Sequence, residues 1–428
     1  MLDCPVSNDS SSSRLSLTNT FAVLRYRDFS VLWVILITSG IGSWLRILGT
    51  AQWLLDATES AWLVGVIGLV QLVVQTPALL FGGTFADQLD RKWIMTLSHS
   101  VTALVLVALA ALHVVDLLTP GWVFAGIAFT AMSHVFASPA RSALVPVVVP
   151  QHLLLPAASI DTASMNAGAI IGPLVFAAVA TTFGLDAVLA LGGGLFVLAA
   201  VLPFFLKTPG RVEPDETSHA ETDQSALQKT GEGIRYVAKH PILPGLFLLD
   251  IGITVVSFYR DILPVLALGL FAGGAAVSGT LGAANSVGAV VGSFIAMLFV
   301  AYRAKGMLVL YASFAYGVFL FAFGMAPSLW FGVLMIALLG AADAVTVAVR
   351  NTTVMLTTPD HMRGRAFSLM YLAAYTANNL GTLWVGFWAG VIGATQSMLL
   401  GAVLAVVATA VIGFVWKPIR TFRSDEAG

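Results

Sequence analysis

Charged residues are scarce in this sequence, and their scarcity indicates the solvent in which the chain folds. Only 10% of the 428 residues are charged, whereas a soluble globular chain carries about 25%. In the same chain 58% of the residues are hydrophobic, and the mean hydropathy is +0.90. This composition excludes an ordinary soluble domain and predicts an integral membrane protein.

Net charge and cysteine are also nearly absent, and each absence excludes a class of function. A formal net charge of -1 gives no basis for binding nucleic acid. The single cysteine, Cys4, allows neither a disulfide nor a thiolate metal site within one chain. The sequence also lacks phosphate loops, metal-spaced clusters and G-x-S-x-G motifs. We therefore expect no enzyme, no cofactor and no metal ion.

Apolar runs of roughly 20 residues, long enough to cross a bilayer, form two blocks of six. The first block covers 30–55, 61–83, 94–114, 121–140, 157–181 and 185–206, and the second covers 243–268, 277–300, 307–325, 329–349, 366–390 and 396–416. The predicted fold is an all-α integral membrane protein with twelve transmembrane helices in two six-helix bundles. The expected domains are a tail 1–28, a bundle 29–206, a linker 207–242, a bundle 243–416 and a tail 417–428. Within the linker, 227–239 is predicted to form a helix on the membrane surface.

Lysine and arginine are concentrated on one side of the predicted spans. Arg91 and Lys92 after span 2 are typical, whereas the alternate loops carry acidic residues without lysine or arginine. Positive charge marks the cytoplasmic side, so both termini and the linker are expected in the cytoplasm of a multi-pass plasma-membrane protein, at a bacterial inner membrane. We call this side the basic side and the other the opposite side. Of the 21 lysines and arginines, this pattern leaves Arg46 and Arg260 inside the membrane.

The two blocks of spans repeat each other in sequence. The segment "RSALVPVVVPQHLLLPAAS" from Arg141 matches "RNTTVMLTTPDHMRGRAFS" from Arg350, and the same offset aligns Gly184 with Gly393. Earlier in each block, a second offset aligns Arg46 with Arg260. Parallel repeats that meet at a central site are typical of secondary transporters.

Several motifs resemble those of a known family. In "GGTFADQLDRK" after span 2, a G-x-x-x-D-x-x-x-R-[RK] pattern is met by Gly83, Asp87, Arg91 and Lys92. Further matches are "FASPARSALVP", "GIRYVAKHP" and "TTPDHMRGRAFSL". The sequence thus resembles the major facilitator superfamily, and within it the branch of enterobactin exporters and macrolide efflux permeases. The resemblance implies that fold and alternating access between its halves, although a fold does not define a substrate.

The resemblance also implies a function for the loop after span 2. Gly83 removes a side chain where span 2 could approach the other half, and Asp87 can pair with Arg91 or cap a helix. Together with Lys92, these residues are expected to latch the cytoplasmic side when the protein opens outward. The alternative is that Arg91 and Lys92 only set the orientation of the chain.

A second motif, "NAGAIIGPLVF", lies in predicted span 5. Here Gly168, Gly172 and Pro173 resemble the G-x-x-x-G-P that the family's exporters carry. Small residues one turn apart allow close helix packing, and proline frees a carbonyl. The pattern is compatible with packing and with gating, and the match favours export.

Arg46 in "SWLRILG" and Arg260 in "SFYRDIL" are the leading candidates for a central site. Arg46 lies about 15 Å along a helix from Asp56, near the middle of a hydrocarbon core of about 30 Å. An arginine at that depth costs roughly 2.5–3.5 kcal/mol and nearly always faces the protein interior or an aqueous cavity. Repeat symmetry predicts that Arg260 lies across that cavity. The other candidate substrate-binding residues are Gln71, Asn285, Asn166 and Asn378.

Three roles remain open for the two arginines. They could brace helices, neutralised by Asp261, Asp343 or helix carbonyls. They could bind a carboxylate, catecholate or phosphate through bidentate hydrogen bonds. They could also take part in coupling, in which Asp261 or Asp343 binds a proton and an arginine displaces it. His134, the repeat mate of Asp343, is a further coupling candidate.

These patterns together predict a secondary transporter that works by alternating access. We expect proton-coupled efflux of a small amphiphilic or anionic organic molecule, siderophore-like or drug-like, by a monomer. The expected partners are this small-molecule substrate, protons and the lipid bilayer, and no nucleic acid. The alternatives are a solute importer or symporter and a non-transporting membrane receptor on the same fold.

Overall fold

A computed structural model describes residues 22–86, 89–210, 226–299 and 302–423, and every regular element within them is helical. The N half contains span 1 (Arg27–Thr58), span 2 (Ala61–Ala86), span 3 (Arg91–Val114), span 4 (Pro120–Val148), span 5 (Leu154–Phe183) and span 6 (Leu185–Val201). The C half begins with span 7, which consists of the helices Leu243–Ser257 and Leu263–Phe271. It continues with span 8 (Ala275–Leu298), span 9 (Lys305–Gly324), span 10 (Leu329–Thr357), span 11 (Asp360–Ile392) and span 12 (Ala394–Val415).

Within the described residues, 11 stretches are long and apolar enough to cross a membrane. Span 11 is the exception, although its 33 residues exceed the roughly 20 that a bilayer requires. Polar residues interrupt its apolar surface, including the neighbouring Asn378 and Asn379. The chain is therefore an all-helical, multi-pass membrane protein, as the sequence predicted.

Two repeat-related glycines make equivalent turns on the opposite side. Gly184 joins spans 5 and 6 with a φ of 91°, and Gly393 joins spans 11 and 12 with a φ of 90°. A residue with a side chain is strained at such an angle, so glycine allows each pair of helices to be joined through a single residue. The match between these glycines in the sequence thus has a backbone cause.

The two halves pack closely through small residues near the opposite side. A Cβ added to Gly65 would lie 2.8 Å from the Cα of Gly386, and one added to Gly68 would overlap the Asn379 carbonyl oxygen. Spans 5 and 8 pack against each other as well. Toward the basic side, each half instead has a cavity lined by its own residues alone. The halves are therefore in close contact near the opposite side, and the cavities lie toward the basic side.

Span 7 is broken where the sequence predicted one continuous run. Its first helix ends at Ser257, and its second begins at Leu263 with Pro264 in the first turn. Proline lacks an N–H, and its ring clashes with the carbonyl four residues earlier, here that of Arg260. Arg260 therefore lies in a 3-10 turn, whereas its repeat mate Arg46 lies inside an unbroken helix.

The linker contains one described helix, Ala226–Lys239, close to its predicted place. It packs across the basic ends of spans 2 and 11. Its Glu232 forms an ion pair with Arg365, and its Tyr236 hydroxyl donates to the Thr357 carbonyl at 3.3 Å. This helix therefore rests on both halves of the protein.

Candidate substrate cavities

A cavity of about 380 Å³ lies within the N half, among spans 1, 3, 4, 5 and 6. Trp44 and Phe196 contribute aromatic surface to it. Most of its polar lining consists of hydroxyl groups, from Ser39, Ser43, Ser98, Thr102, Thr130, Ser133, Ser138, Ser142 and Ser164. Its ionisable residues are Arg46, His99, His134 and Arg141. Among the described residues that line it, there is no aspartate or glutamate.

Arg46 reaches this cavity from the middle of span 1 and is buried. Within the described part of the chain, its side chain makes one hydrogen bond, a long one of 3.5 Å from Nη1 to the Thr130 hydroxyl. A guanidinium has five N–H donors. Most of the Arg46 donors therefore have no acceptor among the described residues and are available to a ligand in the cavity.

A second cavity, of about 190 Å³, lies within the C half. Arg260 Nη2 is 3.1 Å from Asp343 Oδ2, and these side chains are 39% and 42% exposed, so the pair faces the cavity. Asn378 lines the same cavity, with Tyr259 and Tyr316 as aromatic walls. Two arginines and two aspartates line it in all, so its formal charges balance.

Asp261 is not among the described residues that line either cavity. It belongs to the 3-10 turn that also holds Arg260, and this turn contacts spans 1, 2 and 11. Its carboxylate is close enough to Arg46 and Arg260 for electrostatic attraction to both. No ion pair within 4.0 Å joins it to Arg46 among the described residues, so this attraction acts across a gap. Electrostatic attraction thus links Arg46 to Asp261 and Asp261 to Arg260, and a direct ion pair links Arg260 to Asp343.

Three predicted substrate-binding residues line neither cavity, since spans 2 and 8, which hold Gln71 and Asn285, contribute no lining residue among those described, and in span 5 the lining residues are others than Asn166. Asn285 is buried and donates to the Tyr259 hydroxyl at 2.5 Å, so it supports the C-half cavity from behind. Gln71 is buried in span 2, and Asn166 is half-buried in span 5. The predicted substrate-binding residues that do line a cavity are Arg46, Arg260 and Asn378.

Two further arginines lie inside the halves. The sequence had left only Arg46 and Arg260 inside and had assigned every other basic residue to a loop, and this assignment is wrong for Arg141 and Arg350. Arg141 and Arg350 are only 7% and 6% exposed, and each lines the cavity of its half. Spans 4 and 10 continue past them toward the basic side. Hydropathy placed the span ends too early because the apolar runs stop at these arginines.

Each of these two arginines has an aspartate partner. Arg141 Nη1 is 2.9 Å from Asp161 Oδ2, and Arg350 forms an ion pair with Asp250. A buried charge is costly unless it is paired, and the aspartate side chains are only 16% and 17% exposed. The sequence signal that could have predicted these two ion pairs was a repeat-related pair of arginines combined with two isolated aspartates inside predicted spans.

Two histidines face the N-half cavity. His134 is exposed to it from span 4. His99 in span 3 was not predicted; it is buried, and its ring lies 5.8 Å from that of Phe196. The halves therefore place a histidine and an aspartate, His134 and Asp343, at repeat-related positions that each line a cavity.

The predicted cytoplasmic gate is described only in part. Arg91 donates to the Ala143 carbonyl at 3.0 Å, and Lys92 donates to the Leu206 carbonyl at 2.7 Å. Both acceptors belong to the N half, so these residues brace their own half in this structure. Asp87 lies outside the described residues, and for Gly83 the structure describes the helix but not what surrounds the residue. A latch between the halves stays a prediction.

The span 5 motif packs against two neighbouring spans. A Cβ added to Gly172 would lie 2.7 Å from the Cβ of Trp44 in span 1, and one added to Gly279 in span 8 would overlap the Pro173 carbonyl. Gly168 lines the N-half cavity. The motif thus joins span 5 to span 1 within its half and to span 8 across the halves. A gating role stays a prediction.

Two helical halves, each with a polar cavity inside it, form the architecture of a transporter. Known proteins are similar to this chain in sequence. The profile of the family described as "Transmembrane secretion effector" matches residues 18–427. The chain belongs to this family of major facilitator transporters. The enterobactin exporter EntS of Shigella boydii serotype 4 is 25% identical over 381 residues, which cover 86% of this chain and 89% of EntS. EntS of Citrobacter koseri is 26% identical over 336 residues, 77% of each chain.

Solved structures have the same fold at lower identity. A mutant of the nucleoside transporter NupG gives a TM-score of 0.72 at 16% identity, covering 91% of this chain and 99% of the other. A bacterial homolog of the human lysosomal transporter Spinster, inward-facing and unoccupied, gives 0.66 at 15% identity, covering 95% and 98%. These likenesses establish the fold alone. Together with the exporter relatives, they make this chain a membrane transporter of a small molecule and not an enzyme.

Proposed function

We propose that this protein exports small amphiphilic organic anions and that the N-half cavity binds them at Arg46. The proposal rests on the difference in charge between the two cavities. In the N half, Asp161 compensates Arg141, whereas Arg46 has no carboxylate in direct contact within the described residues. In the C-half cavity, the two lining arginines of the described chain, Arg260 and Arg350, are both paired with aspartates. Of the two described cavities, the N-half cavity is therefore the one with a cation available to a ligand.

The rest of the N-half lining suits an amphiphilic anion. Guanidinium N–H groups form charge-assisted hydrogen bonds with carboxylate, catecholate or phosphate oxygens. Several serine and threonine hydroxyls of the cavity, such as those of Ser39, Ser43 and Thr130, donate to backbone carbonyls of their own helices, so their oxygens remain able to accept from hydroxyl groups of a ligand. Trp44 and Phe196 supply aromatic surface for an apolar body. A siderophore-like or drug-like molecule with an anionic head and further oxygen atoms would meet all three features.

Export is supported by the relatives, which are named enterobactin exporters. If the basic side is cytoplasmic, as the positive-inside rule predicts, the close contacts of the halves lie toward the outside and both cavities lie toward the cytoplasm. An exporter takes up its substrate in such a state. Importers pass through the same state, so the proposed direction depends on the relatives.

Protons are the proposed coupling ion. Asp261 and Asp343 are carboxylates beside arginines within the membrane-spanning part, and His134 lines the N-half cavity. A carboxylate that takes up a proton loses its attraction for a neighbouring guanidinium. Proton uptake at Asp261 or Asp343 would therefore change which arginine has its positive charge compensated by a carboxylate.

The test is transport in proteoliposomes that contain the purified protein. Enterobactin, a macrolide and benzoate are offered separately, with and without an imposed pH gradient. We expect saturable flux of the anionic compounds that increases with the gradient and falls in Arg46→Lys, because lysine cannot make bidentate hydrogen bonds. Arg260→Lys is the matched variant in the other half. Full transport by Arg46→Lys would contradict the assigned site.

The same assay separates the alternative functions. An importer or symporter would move solute with the gradient in the opposite sense. A non-transporting receptor would bind a compound and show no flux of it. Absence of flux for every compound, with and without the gradient, would contradict the proposed substrate class.

A further inference from the structure

We infer that a groove beside the linker helix, Ala226–Lys239, binds the headgroup of an anionic phospholipid from the surrounding bilayer. The groove has a volume of about 460 Å³, and most of its lining comes from the segment "GIRYVAKHP", residues 233–241. Glu232 and Met362 of span 11 complete it. It shares no lining residue with either cavity, so the inference does not rest on the proposed function.

The first observation is that the groove carries positive charge without a compensating carboxylate. Arg235 and Lys239 line it one helical turn apart, and both are exposed. Among the described residues, no ion pair joins either of them to an aspartate or glutamate. Glu232, which lines the same groove, pairs with Arg365 of span 11. An anion in the groove would therefore meet two cations.

The second observation is that His240 forms a fixed and neutral wall of the groove. Its Nδ1 accepts from the backbone N–H groups of Ile242 at 3.2 Å and Leu243 at 3.3 Å, at the start of span 7. Burial lowers the pKa of the His240 imidazole from its ordinary value, so the ring is uncharged at neutral pH. The positive charge of the groove therefore comes from Arg235 and Lys239.

The third observation is that the groove lies at the edge of the hydrocarbon core. Span 12 ends at Val415, and both Phe414 and Val415 are apolar and exposed, as side chains in contact with acyl chains are. The next residue, Trp416, donates from Nε1 to the Pro241 carbonyl at 2.8 Å, and Pro241 lines the groove. Tryptophan is enriched at the boundary between membrane and water. The groove is therefore at the depth of the lipid headgroups.

The fourth observation is that apolar surface lies beside the two cations. Tyr236, Pro241 and Met362 contribute to a lining that is mostly apolar. Ile234, the neighbour of Arg235 in the sequence, is apolar and exposed. A helix with exposed basic and apolar side chains is typical of attachment to anionic lipid. A phospholipid offers a phosphate joined to acyl chains and would cover both kinds of surface, whereas a soluble phosphate would leave the apolar part uncovered.

Such a lipid would also hold the linker helix in place. The helix packs across the basic ends of spans 2 and 11, where Glu232 and Tyr236 bind span 11 and the end of span 10. Arg235 and Lys239 follow these two residues by three positions, so they lie on the neighbouring face of the helix. Protein contacts on one face and a lipid on the next would together restrict the helix.

The experiment uses the full-length protein and two measurements. Native mass spectrometry of the delipidated protein gives the dissociation constants of phosphatidylglycerol and of zwitterionic phosphatidylcholine, with soluble glycerol 3-phosphate as competitor. Hydrogen exchange of the linker helix is then compared in nanodiscs of each lipid. Arg235→Gln combined with Lys239→Gln removes both cations of the groove. The matched control is Arg25→Gln combined with Arg27→Gln, which removes two exposed arginines from the basic end of span 1.

We expect phosphatidylglycerol to bind the groove variant roughly 30-fold more weakly than the unsubstituted protein, since each basic residue near an anionic lipid surface contributes about fivefold. The control variant should bind it as the unsubstituted protein does. Glycerol 3-phosphate should not displace it, because that anion lacks acyl chains. In phosphatidylglycerol nanodiscs, the linker helix of the unsubstituted protein should exchange at least about fivefold more slowly than in phosphatidylcholine.

Three results would overturn the inference. Equal affinity of the unsubstituted protein for phosphatidylglycerol and phosphatidylcholine would do so without any variant. An equal loss of affinity in the groove variant and in the control would indicate diffuse attraction to the basic side and no site in the groove. Displacement by glycerol 3-phosphate would indicate a site for a soluble anion. None of these measurements involves transport, so absence of anion flux would leave the lipid site intact.

Discussion

The N half and the C half are built on one repeated sequence pattern, yet their cavities differ in the availability of an arginine. In the C half, Asp343 pairs with Arg260 at 3.1 Å. At the repeat-related position of the N half, His134 lines the cavity of Arg46, and a histidine offers no permanent negative charge. This difference of residue type leaves Arg46, within the described residues, without the direct carboxylate contact that Arg260 has.

A second single difference separates the backbones of the two halves. Thr50 of span 1 occupies the position that corresponds to Pro264 of span 7. Its hydroxyl donates to the Arg46 carbonyl at 2.7 Å, and the helix continues through this point. Pro264 instead interrupts span 7 and leaves Arg260 in a turn. Repeat symmetry therefore predicts where the arginines lie along the chain and not the local structure that presents them.

The largest effect is expected where the halves are alike, at the buried pairs Arg141–Asp161 and Arg350–Asp250. Arg350→Met should reduce the free energy of unfolding by about 3–5 kcal/mol, because it leaves Asp250 buried without a partner. Arg141→Met should act similarly on Asp161. Thermal and denaturant unfolding in detergent measure both losses. The double variant Arg350→Met with Asp250→Leu should recover most of the loss, and a double variant as unstable as the single one would contradict the pairing.

The next largest effect should come from making the N half resemble the C half. His134→Asp would place a carboxylate in the cavity of Arg46, as Asp343 does for Arg260. We expect anion transport to fall by roughly 10- to 150-fold, the loss of a hydrogen bond to a charged group, as measured by flux in proteoliposomes. His134→Asn is the control of similar size without the charge. Equal transport by both variants would show that the charge difference between the cavities does not determine anion transport.

A smaller effect is expected from glycines at contacts between or within the halves. Gly68→Ala would overlap the Asn379 carbonyl across the halves, whereas Gly288→Ala would overlap the Ala337 carbonyl within the C half. Overpacking costs about 1–3 kcal/mol. In Gly68→Ala this cost should destabilise the state that is closed at the opposite side. Distances between spin labels on the opposite-side loops of the two halves should therefore lengthen, with little change in melting temperature. Gly288→Ala should lower the melting temperature, and an equal drop for both would contradict this division.

The smallest effect is expected at the loop after span 2, where the second half lacks the matching aspartate. Asp87→Asn should lower transport by at most about fivefold, the range of an exposed ion pair. Protein abundance and topology should stay unchanged, since Arg91 and Lys92 still mark the basic side. Flux normalised to protein in the membrane measures the change. Undiminished transport would mean that the motif only sets orientation.

Much of the fold was predictable because membrane spans leave a strong one-dimensional signal. Runs of apolar residues located the helices, and the repeat-related glycines Gly184 and Gly393 marked equivalent turns. The signal failed at the basic ends of spans 4 and 10, where Arg141 and Arg350 stop the apolar run while the helix continues. A hydropathy profile treats a charged residue as the end of a span. A buried ion-pair partner nevertheless allows such a residue to lie within the helix.

The candidate site was predictable in its residue types and less so in its arrangement. Arg46, Arg260 and Asn378 line cavities, whereas Asn285, Gln71 and Asn166 do not. Each of these six is a polar residue within a predicted span, and the sequence alone does not show which face of a helix packs against which neighbour. His99 was missed for the same reason, because nothing in its own span distinguishes it from a buried structural residue.

The sequence by itself determined the solvent, the two repeated halves and the pair of arginines placed deep in spans 1 and 7. It could do so because apolar length, charge and internal repetition are properties of the chain order. Only the tertiary structure decided that Asp343 pairs with Arg260 and that Arg141 and Arg350 are buried with aspartates. Those pairings depend on the angles and distances between packed helices, since the attraction between charges is set by their separation in space and not along the chain.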